Sequence, residues 1–328
     1  MTQAAYLRQL DDALDFIRKH ERFAVVSHVQ PDGDAISSTS VVGWLLRKLG
    51  KSAVLINENR APSRLHYLWG YDDIVCYLSD PPQEKFSAVI SVDCADFSRI
   101  GKAAQVFEDG AELLNIDHHP TNDGYGRVNV IRPDAAATVQ ILFDLIERSG
   151  IPIDLDCATA IYTGLLTDTG GFRYSNTSPD VMAIASRMLA VGVPGYQIAD
   201  RLLEKMSMAK LKLLQLSLSR LEFTEDGNIG WLYILKEDLP STGATSEDME
   251  GIVNYALNVD GVEVGILFKE TENGFVKASL RSAGKADVAG IAKSFGGGGH
   301  VRAAGCTLEG PVADAMPRLL EAVRKALI

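Results

Sequence analysis

A histidine and two aspartates are grouped within one short segment, His28-Val29-Gln30-Pro31-Asp32-Gly33-Asp34. One imidazole nitrogen and two carboxylates suit Mn²⁺, with Mg²⁺, Fe²⁺ or Co²⁺ as alternatives, better than a metal that selects thiolates. A simpler interpretation is that Asp32 and Asp34 cap a following helix and that His28 has no role. On this segment alone the two interpretations are equally supported, because short motifs recur by chance.

Similar residues recur at corresponding places further along the chain. Asp93 follows the apolar run Ala88–Val92, and Asp117-His118-His119 follows the run Leu113–Ile116. Asp168 follows a helical run, where a negative charge opposes the helix dipole and calls for a nearby cation. Together these residues could surround two divalent ions, which would neutralise the carboxylates and assist attack on a phosphate.

The elements between these motifs alternate between short apolar runs and helix-period segments. This order is typical of βαβ units and a parallel sheet. Because ligands bind at the carboxyl ends of parallel strands, such a sheet would gather the motif residues at one edge. The predicted strands are Phe23–Ser27, Ser52–Ile56, Ala88–Val92 and Leu113–Ile116, and the predicted helices are Ala35–Leu49, Ala136–Arg148 and Leu155–Thr167.

The C-terminal part has a different pattern. A leucine-rich helix over 197–221 leads to apolar runs at 229–235, 262–269 and 275–281, and Asn273-Gly274 indicates a hairpin between the last two. A helix over 288–294, a glycine loop, a short strand near Cys306 and a helix over 312–327 follow. The sequence therefore predicts an α/β protein with a Rossmann-like parallel-sheet domain (1–195), a helical linker (196–221) and a smaller α/β domain (222–328).

Composition limits the classes of partner. The chain has 328 residues, of which 46% are hydrophobic, enough for more than one core. A net charge of −11 argues against tracking along long duplex nucleic acid, but bound cations would still allow a short RNA or small nucleotide. The 4 cysteines stand singly, and the N-terminus resembles neither a signal peptide nor a membrane span, so we expect a cytoplasmic protein without membrane contact.

Four motifs in order, HVQPDGDA, SVDCAD, DHH and LLTDTGG, resemble those of the DHH phosphoesterase superfamily over about the first 190 residues. The resemblance implies a two-metal hydrolase in which one carboxylate is shared between the two ions. The implied ligands are His28 and Asp32 for one metal, Asp34, His118 and Asp168 for the other, and Asp93 as the bridge. It further implies that Asp117 orients a ligand histidine and that His119 faces the phosphate or donates a proton.

Two C-terminal segments, SLRS and GGGGHVRAAG, resemble the DHH-associated C-terminal domain of RecJ-like nucleases, nanoRNases and cyclic-dinucleotide phosphodiesterases. The glycine run lacks the ending of a P-loop, and its simpler interpretation is a flexible connection. The resemblance implies that this domain binds substrate through Arg281, Ser282, Gly297, Gly298, Gly299 and His300.

Among members of the superfamily, the two-domain arrangement is most similar to the nanoRNase/pAp phosphatases. That similarity implies hydrolysis of very short oligoribonucleotides, as an exonuclease, and of 3′-phosphoadenosine 5′-phosphate (pAp). The alternatives are a phosphodiesterase of cyclic di-AMP or linear pApA and, more remotely, a non-catalytic metal- or nucleotide-binding regulator. The native metal, a homodimer and the roles of Arg99, Arg173 and Arg302, as phosphate contacts or structural residues, stay open.

Overall fold

The computed structural model of the chain describes residues 2–327, in two compact units, Met1–Lys205 and Met206–Ile328. Each unit folds around its own six-stranded sheet. The strands of the first unit are β1 (Arg22–Val26), β2 (Ser52–Asn57), β3 (Val75–Cys76), β4 (Phe86–Val92), β5 (Phe107–Asp117) and β6 (Val128–Ile131). Its helices are α1 (Gln3–Lys19), α2 (Gly33–Lys48), α3 (Thr138–Ser149), α4 (Leu155–Asp168), α5 (Pro179–Val191) and α6 (Gly195–Ala199).

The first sheet is parallel throughout, in the order β3-β2-β1-β4-β5-β6. The strand order reverses between β1 and β4, and in open α/β sheets ligands bind at the carboxyl ends of the strands beside such a reversal. The segment His28–Asp34 follows β1 and Asp93 follows β4, so both lie at that point. The predicted parallel α/β architecture is confirmed. The edge strands β3 and β6 were not predicted.

Both faces of this sheet are buried, which explains why its strands are apolar runs without alternation. Phe23 and Val25 of β1 pack in the cluster that contains helices α1 to α5. Ala24 and Val26 pack in a second cluster with a 3₁₀ segment, Phe97–Val106. A strand buried on both sides fixes the position of the loop that follows it.

The second unit has a mixed sheet in the order β11-β12-β10-β9-β8-β7, in which only β8 and β9 pair in parallel among the described strands. Its strands are β7 (Glu222–Phe223), β8 (Ile229–Ile234), β9 (Val264–Glu270), β10 (Phe275–Ser282), β11 (Gly298–His300) and β12 (Ala303–Glu309). Its helices are α7 (Met208–Leu218), α8 (Asp238–Thr242), α9 (Val253–Leu257), α10 (Val288–Ser294) and α11 (Val312–Leu327).

Strand β10 divides its residues strictly between the two faces of this sheet. Val276, Ala278 and Leu280 are buried against α10 and α11. The intervening residues lie on the opposite face of the sheet. On that face, α7 and α9 cover the neighbouring strands β8 and β9. The predicted β9–β10 hairpin is present, and Gly274 supplies the positive φ of its turn (φ 77°).

The segment 197–221, predicted as one helix, is helical in separate pieces. A π-helical turn, Asp200–Glu204, follows α6, and Lys205 has an extended backbone. The Ser207 side chain then accepts a hydrogen bond from the Lys210 N–H and so starts α7 as an N-cap. The domain boundaries at 195 and 221 stay predictions.

No single helix within residues 2–327 is long and apolar enough to cross a membrane. The pair Pro179–Val191 and Gly195–Glu204 passes the same test of length and composition only when taken together, and it is bent by 116°.

Candidate active site

The residues predicted as metal ligands converge beside the carboxyl ends of β1, β4 and β5. They form three overlapping groups, in each of which one ligand atom per residue lies within 4.8 Å of the others. The groups are His28, Asp32 and Asp93; Asp34, His118 and Asp168; and Asp93, His118 and His119.

Asp93 lies between the first two groups and faces both. Its Oδ2 is 3.6 Å from His28 Nε2, and its Oδ1 is 3.5 Å from His118 Nε2. The backbone of Asp93 has φ 53°, a left-handed conformation that is costly for most residues and often marks a functional position. It is held by a hydrogen bond from its N–H to the Ile116 carbonyl (3.0 Å) and by one from Thr138 Oγ1 to Oδ1 (3.0 Å).

Two of the histidines are oriented by backbone carbonyls. His28 Nδ1 lies 2.8 Å from the Val29 carbonyl, and His118 Nδ1 lies 3.2 Å from the Ala135 carbonyl. Because a carbonyl only accepts, each Nδ1 carries a proton, and Nε2 is directed at the carboxylates. A second partner of this kind fixes ring orientation in metal-ligating histidines.

The aspartates of the first loop combine helix capping with a position in the cluster. Asp32 Oδ1 accepts from the N–H groups of Asp34 and Ala35, both at 3.1 Å, while its Oδ2 lies 3.8 Å from His28 Nε2. Capping therefore leaves one Asp32 oxygen directed at the cluster. Asp34 is fully buried and accepts from Thr138 N–H (2.6 Å), in the first turn of α3, where the helix dipole favours an anion.

The charges of the cluster fit bound cations. Burial and the neighbouring carboxylate of Asp93 raise the pKa of Asp34 well above its usual range, and desolvation and Asp34 do the same to the pKa of Asp168. Burial would also raise the pKa of Asp93, but His28 and His118 outweigh it and the pKa is lowered. Divalent ions would relieve this repulsion, and imidazole with carboxylate ligands is a donor set that such ions accept.

Two glycines set the close approach of α2 to neighbouring residues. A Cβ on Gly33 would lie 2.4 Å from Thr167 Cγ2. A Cβ on Gly164 would lie 2.7 Å from Asp34 Oδ1. The position of Asp34 thus depends on residues that carry no functional group.

The ring of His119 is oriented by the carboxylate of Asp117. Its Nδ1 lies 2.7 Å from Asp117 Oδ1, and Asp117 Oδ2 accepts from Asn122 Nδ2 at 2.6 Å. Asp117 was expected to orient a ligand histidine, but the histidine that it contacts is His119, whereas His118 Nδ1 lies beside the Ala135 carbonyl. Burial alone would lower the pKa of His119; the bond to Asp117 outweighs it, so the pKa is raised.

In the second unit, strand register places Arg281 and His300 in one cross-strand row. Arg281 pairs with Ala303, and Ala303 pairs with His300. The next row contains Ser279, Gly305 and Gly298 on the same face. The segment predicted as a glycine loop is therefore partly an edge strand, and small residues (Ala303, Gly305 and Gly298) occupy the strand positions beside Arg281 and His300.

The remaining residues of this region that were predicted to bind substrate differ in what their side-chain positions contact. Ser282 lies on the opposite face, where its hydroxyl donates to Glu263 Oε1 at 3.0 Å. A Cβ on Gly297 would lie 2.1 Å from the Gly305 carbonyl oxygen. Gly299 has φ 143°, and a Cβ there would lie 2.5 Å from the Ala303 carbonyl oxygen, whereas a Cβ on Gly298 would point into open space.

The sequence profile described as "DHH family, N-terminal domain" matches residues 22–165, and that of the "DHHA1 domain" matches residues 229–328. A Thermus thermophilus protein named "Bifunctional oligoribonuclease and PAP phosphatase NrnA" is 36% identical over 307 residues, which cover 92% of this chain and 89% of that protein. The chain belongs to the DHH family of phosphoesterases.

Other DHH relatives agree with this assignment. A Bacillus subtilis protein of the same name is 26% identical over 287 residues, 86% of this chain and 87% of that protein. The crystal structure of an exopolyphosphatase-related protein from Bacteroides fragilis superposes with a TM-score of 0.90 at 28% identity, covering 97% of this chain and 96% of that one. DHH phosphoesterases are metal-dependent hydrolases, in keeping with the acidic and histidine groups of this chain.

Two arginines near the DHH motifs have different surroundings. Arg173 Nε donates to the Gly170 carbonyl (2.6 Å) and so supports the turn after α4. Arg99 is half-buried, and its charge only partly opposes the net rise in the pKa values of His28 and His119, for which the bonds to Asp93 and Asp117 outweigh burial. Within residues 2–327 its guanidinium has no ion pair or hydrogen bond, which leaves it available to an anion.

Several residues of the site were missed by sequence reasoning. Thr138, which contacts both Asp34 and Asp93, and Asn122, which contacts Asp117, lie outside every motif. Gly164 gave a usable signal, because an isolated glycine within a helical pattern often has a packing role, whereas Gly33 lies before the predicted helix Ala35–Leu49 and gave none.

Proposed function

We propose that this DHH phosphoesterase hydrolyses short oligoribonucleotides, as an exonuclease, and pAp, with Mn²⁺ as the native metal. The observation that carries the proposal is the position of Asp93, whose two oxygens face different groups of ligand atoms. The names of the Thermus and Bacillus relatives support the choice of substrate. The cysteines of this chain are free thiols that stand singly, which supports a reducing, cytoplasmic setting.

In this proposal Asp93 would belong to both ligand sets. His28 and Asp32 would complete the set that holds one ion, and Asp34, His118 and Asp168 the set that holds the other. Such a pair supplies a water of lowered pKa and positive charge for the phosphoryl oxygens. The carbonyls of Val29 and Ala135 keep the two ligand histidines in the required orientation.

Side chains around the ligands would complete the chemistry. His119, which Asp117 orients through its Nδ1, would donate a proton from its Nε2 to the leaving oxygen, and the raised pKa of His119 favours this role. The Arg99 guanidinium can bind two non-bridging phosphate oxygens as a fork. These two residues would act on the phosphate itself, and the aspartates would act on the ions.

We assign catalysis to residues 1–195 and substrate binding to 222–328, with 196–221 as the linker. Arg281 and His300 would bind the part of the substrate remote from the cleaved phosphate, and Gly298 would allow close approach. Ser282, Gly297 and Gly299 would hold the backbone of this face. Binding energy from the remote part can position the scissile phosphate.

The proposal is tested with a panel of substrates. The Mn²⁺-loaded protein is incubated with pAp, RNA of two to five nucleotides, cyclic di-AMP, linear pApA and pyrophosphate, and kcat/KM is measured for each. We expect the highest values for the RNA ladder and pAp. A higher kcat/KM for cyclic di-AMP or pyrophosphate would contradict the substrate proposal while leaving the family assignment intact.

A further inference from the structure

The outward residues of β10 alternate cation, small residue, cation and aromatic ring. Arg281, Ser279, Lys277 and Phe275 share the face that points away from the core formed with α10 and α11. We call these four residues the β10 face. Ser279 and Arg281 belong to the SLRS segment, which resembles a known motif, whereas Lys277 and Phe275 lie outside it and have no assigned role.

A second lysine stands directly beside this face. In the antiparallel register Lys277 is opposite Lys269 of β9. Like charges opposite one another destabilise a sheet, and their side chains begin only about 5 Å apart. Burial and the Lys277 ammonium together lower the pKa of Lys269.

Neither lysine is neutralised by the protein. Within residues 2–327, no carboxylate forms an ion pair or hydrogen bond with Lys269 or Lys277. Thr307, the residue opposite Lys277 on β12, is exposed and uncharged. A pair of adjacent ammonium groups kept without a counter-ion is a site for an anion from outside the chain.

Phe275, at one end of the β10 face, adds an aromatic ring to this surface. Phe275 is 42% exposed, although large apolar side chains of a strand usually face the core. Proteins that bind single-stranded nucleic acid combine a positive surface that follows the backbone with aromatic rings on which bases stack. The β10 face has both components in line.

The length of the face corresponds to a short oligonucleotide. Lys277 is four residues from Arg281 along the strand, roughly 13–14 Å at about 3.4 Å per residue. A stacked strand advances about 3.4 Å per nucleotide, so this distance corresponds to about four nucleotides. A single nucleotide such as pAp covers only about one of these four steps.

We propose that the β10 face, together with Lys269, is a distal subsite for single-stranded RNA, in which the two lysines bind a backbone phosphate remote from Arg281 and Phe275 stacks on a base. The inference rests on the proposed function and deepens it, because it gives the enzyme a separate contact for substrates of about four nucleotides or more. It also predicts that pAp and dinucleotides bind without this contact.

The test compares Lys269→Gln, Lys277→Gln, their double variant and Phe275→Ala with the unmodified protein. Equilibrium binding of labelled RNA of two to six nucleotides and of pAp is measured by fluorescence anisotropy in chelator, where no substrate is cleaved. We expect each lysine variant to weaken binding of penta- and hexanucleotides about three- to tenfold and to change pAp and dinucleotide binding less than twofold. The dependence of log affinity on log salt should become shallower by roughly 0.7 per lysine.

Lys293→Gln is the matched control, because it removes the same charge from α10, the helix on the other side of the sheet. The Lys293→Gln variant should bind RNA of every tested length as well as the unmodified protein does. Thermal unfolding separates binding from folding, since removing Lys277 relieves repulsion and should leave the melting temperature equal or higher. Equal losses at all lengths, or unchanged pentanucleotide binding in the double variant, would overturn the subsite.

Hydrolysis by the unmodified protein gives an independent result. If it binds RNA in a length-graded, lysine-dependent manner but cleaves none of the ladder, the proposed function fails and the subsite stands. If it cleaves the ladder and the lysine variants bind every length as well as the unmodified protein, the subsite fails and the proposed function stands.

Discussion

The candidate metal centre draws its side chains from three strand ends and two helices, whereas the β10 face consists of alternate residues of one strand. In the centre, carboxylates and histidines lie within 4.8 Å of one another in overlapping groups, and Asp93, which faces two of these groups, has a left-handed backbone. On the β10 face Phe275 and Lys277 are exposed, and Ser279 and Arg281 are half-buried at separate positions along the strand. Groups that act as a unit give non-additive losses, and separated groups give additive ones. We therefore expect single substitutions in the metal centre to abolish hydrolysis abruptly. Single substitutions on the β10 face should weaken RNA binding in steps.

The largest effect is expected for Asp93→Asn and Asp93→Ala. Loss of the shared carboxylate should lower kcat by about three orders of magnitude or more, because alanine removes an oxygen from both ligand groups, and asparagine keeps one uncharged oxygen that can face only one of them. Asparagine tolerates the left-handed backbone of this position, so Asp93→Asn separates the loss of charge from backbone strain. Circular dichroism checks the fold. Near-wild-type turnover of a folded Asp93→Asn variant would contradict the two-metal centre.

A large but different effect is expected for the adjacent histidines. His119→Ala should lower turnover while metal content persists, because His119 is paired with Asp117 and lies beside the ligands. His118→Ala should lower metal content itself. Elemental analysis of both purified variants, together with kcat, distinguishes them, and the reverse pattern would show that the two roles are exchanged.

An intermediate effect is expected in the Arg281 row. Arg281→Ala and His300→Ala should lower kcat/KM for di- to tetranucleotides by one to two orders of magnitude, about 1.5–3 kcal/mol for a charge-assisted hydrogen bond. Bis-p-nitrophenyl phosphate, which lacks the remote part, should be affected much less. If both substrates lose activity equally, the row supports the fold or the metal centre.

The smallest effect is expected for Gly298→Ala. The added methyl group meets only open space, so the melting temperature should not change, but it would obstruct close approach of RNA and lower kcat/KM about threefold. Gly297→Ala is the matched control, because its Cβ would collide with the Gly305 carbonyl and lower the melting temperature. Unchanged RNA hydrolysis by Gly298→Ala would show that substrate does not approach this position.

The same contrast explains what could be predicted from the sequence. The parallel sheet followed from uninterrupted apolar runs, but β3 and β6 are short edge strands of two and four residues and gave almost no signal. The ligands of the centre are distinctive residue types directly after predicted strands. Thr138 could not be found, because it contacts Asp34 across 104 residues of sequence, a pairing that only the tertiary fold creates.

The β10 face shows a different limit. Sequence alternation indicates which residues share a face, but it does not say which strand lies alongside. The opposition of Lys269 and Lys277 depends on the register of the hairpin. The row that joins Arg281 to His300 depends on a glycine segment that pairs as a strand, although its composition favours a loop.

The close packing at Gly33 and Gly164 has a consequence for genetics. Neither residue can bind metal or substrate, yet any side chain at either position would displace Thr167 or Asp34. In a saturation-mutagenesis screen for activity, both positions should therefore tolerate no amino acid but glycine, and should rank with the metal ligands. Without the structure, the results of such a screen would assign these two glycines, which carry no functional group, to the catalytic machinery.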